Sequence, residues 1–137
     1  MTLPGAWLKR YLVRSCYMSS ASKRKGSMYE NQLEQWFIDN GYDTQRLRLS
    51  GKEDQGDLHT RLNDKSYLVW EAKARKQVNL AEWVREADIE AANHEVKRKV
   101  ESWPAVVHKK RMGSIGESYV TMPLATFMEF LRAKGVV

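Results

Sequence analysis

The sequence is poor in cysteine and in long apolar runs, and each shortage excludes a class of protein. Cys16 is the only cysteine among 137 residues, so an intrachain disulfide framework and a cysteine-based zinc cluster are both excluded. A lone thiol is typical of a reducing compartment. No apolar run approaches the roughly 20 residues that a membrane-spanning helix needs. Apolar residues still make up 42% of the chain, which suits one globular domain with a buried core.

Acidic residues are missing from the first 29 positions, and the whole formal net charge of +6 comes from this segment. Residues 1–29 contain six lysines and arginines, whereas the rest of the chain contains 17 basic and 17 acidic side chains. Basic arms bind polyanions because phosphates release their counterions on binding. The arm is also compatible with a solubilising tail or a targeting peptide, and Met18 is an alternative start. We therefore divide the chain into a basic extension, 1–22, and a domain, 23–137.

Apolar spacing and turn residues predict the element order α-β-β-β-α-β-β-α. After a flexible linker at Ser19–Ser27, a helix is expected to begin at a capping box formed by Ser27 and Glu30 and to end near Gly41. The other predicted elements are strands at Tyr42–Ser50, Asp57–Leu62 and Ser66–Lys73, a helix at Leu80–Ser102 ended by Pro104, strands at Ala105–His108 and Glu117–Met122, and a helix at Leu124–Lys134. This order predicts an α/β (α+β) fold with a mixed sheet of about five strands flanked by helices.

The long central helix is expected to bury one apolar face, and the histidines are expected to be structural. The apolar positions of that helix keep a helical spacing, with Trp83 in the core: Leu80, Trp83, Val84, Ala87, Ala91, Val96 and Val100. His59, His94 and His108 are scattered without ligand spacing, so we interpret them as structural or surface residues.

The stretch YLVWEAKARK at Tyr67–Lys76 ends an apolar strand on Glu71 and Lys73, which alternation places on one face. Antiparallel pairing around a turn at Asn63–Lys65 brings Asp57, at the start of the preceding strand, beside Glu71. Two adjacent carboxylates repel each other unless a cation lies between them, and Mg²⁺ is the hard cation that takes carboxylate oxygens and waters. The pattern suits phosphodiester hydrolysis by an activated water, which Lys73 would orient or help to deprotonate.

Plainer interpretations of the same residues stay open. Glu71 and Lys73 could form an ordinary ion pair, and such pairs are common and weak at surfaces. Glu30, a third acid that could reach the site from the first helix, could instead belong to a capping box.

The ordered set of motifs resembles the PD-(D/E)XK nuclease superfamily, and within it archaeal-type Holliday junction resolvases. The resemblance lies in RKGSMYENQLEQWF at Arg24–Phe37, Ser50 before the loop GKEDQGD, LVWEAKARK at Leu68–Lys76, and WPAVVHKK at Trp103–Lys110. It covers about residues 23–132.

Two features depart from the family pattern. Gly56 precedes Asp57 where the family has proline or valine, and the extension before Ser22 has no counterpart in the family.

The resemblance implies a restriction-endonuclease-like fold and a Mg²⁺-dependent endonuclease, with Mn²⁺ as a substitute. Asp57 and Glu71 would hold the metal, with the Ala72 carbonyl as a further ligand and Glu30 supporting the metal or its waters. Lys73 would act on the nucleophilic water, and Ser50 would position the scissile phosphate. The implied substrate is branched DNA, most of all the four-way junction of DNA recombination and repair.

Phosphate contacts are expected from basic side chains around the predicted site, although each is also compatible with a solvated surface charge. These side chains are Arg24, Lys25, Arg46, Arg48, Arg75, Lys76, Lys109, Lys110 and Arg111. Cutting two opposed strands of a two-fold symmetric junction needs two active sites, so we expect a homodimer.

Two other functions remain open from the sequence. One is a nuclease of the same fold with a nicking, repair or restriction substrate, and the other is a non-catalytic DNA-binding module. We expect no membrane partner and a cytoplasmic location in a prokaryote or phage-infected host, or an organelle if residues 1–22 are a targeting peptide.

Overall fold

The computed structural model describes residues 20–47 and 55–137, and these residues confirm the predicted element order. They form a five-stranded mixed sheet flanked by three α-helices. The elements are α1 Ser20–Asp39, β1 Thr44–Arg46, β2 Leu58–Asn63, β3 Ser66–Lys73, α2 Leu80–Arg98, β4 Glu101–His108, a 3₁₀ helix Ile115–Glu117, β5 Tyr119–Thr121 and α3 Leu124–Ala133.

The strands lie in the sheet in chain order, from β1 to β5. Strands β1, β2 and β3 form an antiparallel meander, β4 is parallel to β3, and β5 returns antiparallel to β4. Parallel neighbours need a crossover connection, and α2 supplies it between β3 and β4. The sheet therefore has α1 against one face and α2 against the other.

Helix α1 packs on the sheet face that carries the larger apolar core. Tyr29 and Leu33 are buried against Leu58 and Trp70, and the ring of Phe37 stacks on Trp70 with centroids 5.4 Å apart. Alternation in the strands sends these residues to the α1 side and their neighbours to the α2 side.

Helix α1 begins at Ser20, so it includes most of the predicted linker. Alanine, lysine and arginine in this stretch favour the helix, and one glycine, Gly26, costs too little to stop it. Ser27 consequently lies inside the helix and cannot be its N-cap. The capping-box explanation of Glu30 is wrong, which leaves the side chain of Glu30 for another role.

Helix α2 begins at Leu80 as predicted but ends earlier than predicted, at Arg98. The side chain of Asn79 accepts a hydrogen bond from the Glu82 backbone N–H, and Lys99 closes the other end in a left-handed conformation at φ 55°. Pro104 does not follow the helix but lies within β4. It is tolerated there because β5 pairs only with Val106–His108, so β4 is an edge strand at Pro104.

The buried face of α2 differs from the predicted apolar face. Trp83 is buried as predicted, with Ala87 and Ala91, but Leu80 and Val96 are exposed. A second buried row consists of Glu86, Glu90 and His94, at intervals of four residues. We call this row the polar stripe of α2.

Helix α3 has no buried residue, although its sequence is the most apolar of the three described helices. Leu124, Phe127 and Met128 are all exposed, while Phe130 reaches back to Trp103 with ring centroids 5.5 Å apart. Within the described ranges, none of the helices is long and apolar enough to cross a membrane.

Candidate active site

The β2–β3 hairpin brings Asp57 next to Glu71, as the sequence predicted. Leu58 pairs with Trp70, so the residue before β2 lies opposite the residue after Trp70. The Asp57 backbone N–H donates to the Trp70 carbonyl at 2.9 Å, and the Ala72 N–H donates to Asp57 Oδ2 at 2.8 Å. The Asp57 carboxylate is therefore fixed against the strand that carries Glu71.

Gly56, which stands where the resembled family has proline or valine, is required by the local backbone. Its φ of +99° lies outside the range of proline, whose ring holds φ near −65°. A Cβ at this position would lie 2.7 Å from Val69 Cγ1 and 3.3 Å from the Trp70 carbonyl oxygen. Glycine thus permits the close approach that places Asp57 beside Glu71 of β3.

Lys73 lies between two buried carboxylates that come from different layers of the fold. Its Nζ is 3.1 Å from Glu71 Oε1 on the same strand and 2.6 Å from Glu86 Oε2 on α2. Burial lowers the pKa of Lys73, but the charges of Glu71 and Glu86 outweigh burial and raise it above its usual value. Lys73 is therefore a held ammonium group, suited to donating hydrogen bonds to a water or a phosphate oxygen rather than to accepting a proton.

Burial and neighbouring carboxylates act in the same direction on Asp57. Burial raises the pKa of Asp57 well above its usual range, and the nearby charges of Glu71 and Glu30 raise it further. The side chain of Glu30 raises the pKa of Asp57 through a hydrogen-bonding interaction as well as through its charge. The hydrogen bond from the Ala72 N–H opposes these effects without cancelling them. Crowded carboxylates of this kind are the arrangement that a divalent cation relieves.

Glu30 reaches the cluster from α1, where Arg46 holds it. Arg46 Nη2 is 3.0 Å from Glu30 Oε2, and Arg46 Nη1 donates to Asn31 Oδ1 at 2.6 Å. Arg46, one of the predicted phosphate contacts, therefore has its guanidinium group engaged by α1. We call the set of Glu30, Asp57, Glu71, Lys73 and Glu86 the acid–lysine cluster.

Carboxylate oxygens, of which the acid–lysine cluster has several, are the type of donor that a hard divalent cation takes. Glu71 Oε2 is buried without a hydrogen-bond partner in the described part of the chain, whereas buried carboxylate oxygens are normally satisfied. Asp57 and Glu71, with Glu30 beside them, are the residues that would hold the ion. Within residues 20–47 and 55–137, no group of three or more His, Cys, Asp or Glu side chains is arranged to hold a metal ion.

The remaining predicted site residues fall into three groups. Ser50 and Arg48 lie outside the described residues. Lys110 forms a 3.0 Å ion pair with Glu117. The others have exposed side chains, and their role in DNA binding stays a prediction: Arg24, Lys25, Arg75, Lys76, Lys109 and Arg111.

Glu86 belongs to the site but was not predicted from the sequence. The helical spacing of the apolar residues of α2 does not include Glu86. A signal was present, because Glu86, Glu90 and His94 repeat every four residues beside the Ala87–Ala91 row. Polar residues in phase with a buried row indicate a buried polar stripe.

Two of the three histidines, His59 and His94, form hydrogen bonds at the other end of the polar stripe of α2 from Glu86. His59 Nδ1 lies 2.9 Å from His94 Nε2, and His94 Nδ1 lies 2.6 Å from Ser102 Oγ. The ring of Tyr67 stacks on His59 with centroids 4.7 Å apart. Burial lowers the pKa of both His59 and His94 to about 4, and the positive charge of Arg98 contributes in the same direction. We call His59, Tyr67, His94 and Ser102 the histidine cluster.

Comparison of the sequence with models of protein families finds no match. Comparison with curated proteins likewise finds no match.

Proposed function

We propose that this protein is a metal-dependent DNA endonuclease of the PD-(D/E)XK type that cuts four-way junctions. The observation that carries the proposal is the meeting of Asp57, Glu71 and Lys73 at one end of the β2–β3 hairpin, with a buried oxygen of Glu71 left without a partner. A protein that only binds DNA gains nothing from several carboxylates beside phosphates, because like charges repel. A cluster of this composition suits metal-assisted hydrolysis.

In this proposal Asp57 and Glu71 hold Mg²⁺, or Mn²⁺ in its place, with the Ala72 carbonyl and Glu30 in support. The bound ion would supply charge stabilisation and lower the pKa of a water. Lys73 directs its ammonium group at that water or at the scissile phosphate. Ser50 keeps its proposed role of orienting the phosphate.

DNA would be held by exposed basic side chains around the site, together with the basic residues 1–29. Arg24 and Lys25 lie exposed on α1, and Arg75 and Lys76 follow β3 directly. Contacts to phosphates position a duplex without reading its sequence. The choice of a four-way junction as substrate comes from the family resemblance, whereas the hydrolytic chemistry comes from the cluster.

A homodimer is part of the same proposal, since two opposed strands must be cut. The exposed apolar residues of α3, Leu124, Phe127 and Met128, are the surface that we assign to the second copy. Light scattering at micromolar concentration should give the mass of a dimer, and the change Leu124→Glu should shift it towards a monomer. A monomeric wild-type protein would contradict the homodimer.

The test of the proposed function is cleavage of labelled DNA with and without Mg²⁺. A synthetic four-way junction, a linear duplex and a flap are compared, using wild type, Asp57→Asn and Lys73→Ala. Lys65→Ala is the matched control, because Lys65 is an exposed lysine at the turn end of the same hairpin. Symmetric cuts in the junction that require Mg²⁺, Asp57 and Lys73, but not Lys65, support the proposal.

Two other results would contradict the proposed function and favour a different one. Cleavage mainly of the flap or the duplex would favour a repair or restriction nuclease of the same type. Junction binding without Mg²⁺-dependent cleavage would favour a DNA-binding module.

A further inference from the structure

Glu86 is the one carboxylate of the acid–lysine cluster that comes from α2. Its Oε2 lies 2.6 Å from Lys73 Nζ, closer than the 3.1 Å contact that Glu71 makes from within β3. The Glu86 side chain is 7% exposed and the Lys73 side chain 15% exposed. The pair is therefore largely shielded from water, and buried ion pairs are screened less than exposed ones.

The position of Glu86 is set by its neighbours on the helix. Trp83 and Ala87 are buried against Val106 of β4, which fixes the rotation of α2 about its axis. Val106 is the register partner of Glu71 in the parallel β3–β4 pair, so this packing lies directly beside the acid–lysine cluster. Glu86, between Trp83 and Ala87 in sequence, is thereby held over the strand that carries Glu71 and Lys73.

A lysine side chain has four rotatable bonds, so one contact leaves its ammonium group free to swing. Glu71 approaches Lys73 from its own strand, and Glu86 approaches from the helix layer. Two anchors from different elements restrict the ammonium group far more than either one alone. Positioning of this kind matters for catalysis because a misplacement of about 1 Å can cost a hundredfold in rate.

The carboxylates of Glu71 and Glu86 have different roles in this arrangement. Glu71 Oε1 contacts Lys73, while Glu71 Oε2 has no partner in the described part of the chain. If Glu71 binds a cation, its hold on Lys73 weakens, because a cation and an ammonium group compete for one carboxylate. Glu86 then keeps the ammonium group in place.

We propose that Glu86 is a positioning residue that holds the Lys73 ammonium group in the cleft. The ammonium group then stays in place when Glu71 binds the cation. This inference rests on the proposed function and adds a residue that the motifs do not contain. It assigns Glu86 no contact with DNA or metal.

The test compares Glu86→Gln, which keeps the volume and an acceptor oxygen, with Glu86→Ala, which removes both. Glu95→Gln is the matched control, since Glu95 is exposed on the same helix. Single-turnover cleavage of the four-way junction should slow about tenfold to a hundredfold in Glu86→Ala and less in Glu86→Gln. Junction affinity should stay within about twofold, because phosphate contacts lie elsewhere. The control should match wild type in both.

A second readout requires neither metal nor DNA. In the metal-free protein the ¹⁵N-labelled ammonium group of Lys73, assigned by its loss in Lys73→Ala, should give an NMR signal protected from exchange with water. Glu86→Ala should broaden or remove this signal, and Glu95→Gln should keep it. If Glu86→Ala does not fold, Glu86→Gln decides: at least about threefold slower cleavage supports the inference.

The inference fails if a folded Glu86→Ala protein, or Glu86→Gln in its place, cleaves at the wild-type rate or keeps the protected Lys73 signal. Failure of the proposed function looks different, because wild type itself would then cleave no DNA. In that case the ammonium signal still shows whether Glu86 holds Lys73.

Discussion

Two buried polar clusters lie on the β2–β3 hairpin, and they are built in opposite ways. In the histidine cluster both ring nitrogens of His94 have partners, and the low pKa values keep the rings neutral. In the acid–lysine cluster carboxylates crowd together and Glu71 Oε2 has no partner among the described residues. Satisfied neutral groups stabilise a fold, whereas crowded like charges destabilise it. The contrast is the reason for taking the acid–lysine cluster, and not the histidine cluster, as the candidate functional site.

One helix serves both clusters. The polar stripe of α2 starts with Glu86 at Lys73 and ends with His94 at His59. Between them, Glu90 Oε2 lies 3.8 Å from the position of a Cβ on Gly56. The difference between the clusters therefore comes from which side chains the strands present to the stripe.

The largest expected effect is on cleavage. Lys73→Ala should lower the single-turnover rate of junction cleavage by roughly 10²–10³-fold, because a fixed cation at the reacting phosphate is lost. A change in the histidine cluster, Ser102→Ala, should leave the cleavage rate of the folded protein near that of wild type. Equal losses in the two variants would erase the contrast between the clusters.

The next largest effect is the pH dependence of stability due to the histidine cluster. The folded pKa of about 4 lies below the usual 6.5, so the unfolded chain binds more protons between these values. The contribution is complete above pH 6.5 and is lost as the pH falls towards 4. Over this pH range, the titration of each histidine should lower the free energy of unfolding by on the order of 3 kcal/mol.

Denaturant unfolding at pH 7 and pH 4.5 measures this loss. The double variant His59→Gln with His94→Gln should lose less stability between the two values than wild type does. Parallel behaviour of both proteins would show that other groups cause the loss.

A smaller effect is expected at the turn that places Asp57. Gly56→Ala forces a methyl group to within 2.7 Å of Val69 Cγ1 and should cost roughly 2–4 kcal/mol. Gly41→Ala is the control, because Gly41 also has a positive φ, of 85°, but no atom lies within 4 Å of its added Cβ. Gly41→Ala should cost about 1 kcal/mol. Thermal or urea unfolding gives both values, and equal losses would rule out the steric explanation.

The smallest effect is a gain of stability in the acid–lysine cluster. Asp57→Asn removes a repelled carboxylate and keeps an oxygen for the Ala72 N–H, so the metal-free protein should gain roughly 1–2 kcal/mol. Mg²⁺ should raise the melting temperature of wild type and not of Asp57→Asn, because a ligand stabilises only the state that binds it. A loss of stability in Asp57→Asn would contradict the repulsion.

Local rules were sufficient for the hairpin and for the element order. Strand alternation puts Glu71 and Lys73 on one face, and a short turn puts Asp57 opposite Glu71, so these contacts follow from neighbours in sequence. The same rules failed at Pro104, which proline chemistry alone assigns to a boundary. Its place within β4 depends on how far β5 extends, which is a property of the whole sheet.

By itself, the sequence determined the mixed α+β order and the pairing of Asp57, Glu71 and Lys73, because both depend on periodicity and short connections. Only the tertiary structure decided that Glu86 meets Lys73, that Arg46 holds Glu30, and that the apolar residues of α3 remain exposed. These features depend on the rotation and placement of helices against the sheet. That rotation is fixed by side chains far apart in sequence, such as Trp83 and Val106, which no local pattern brings together.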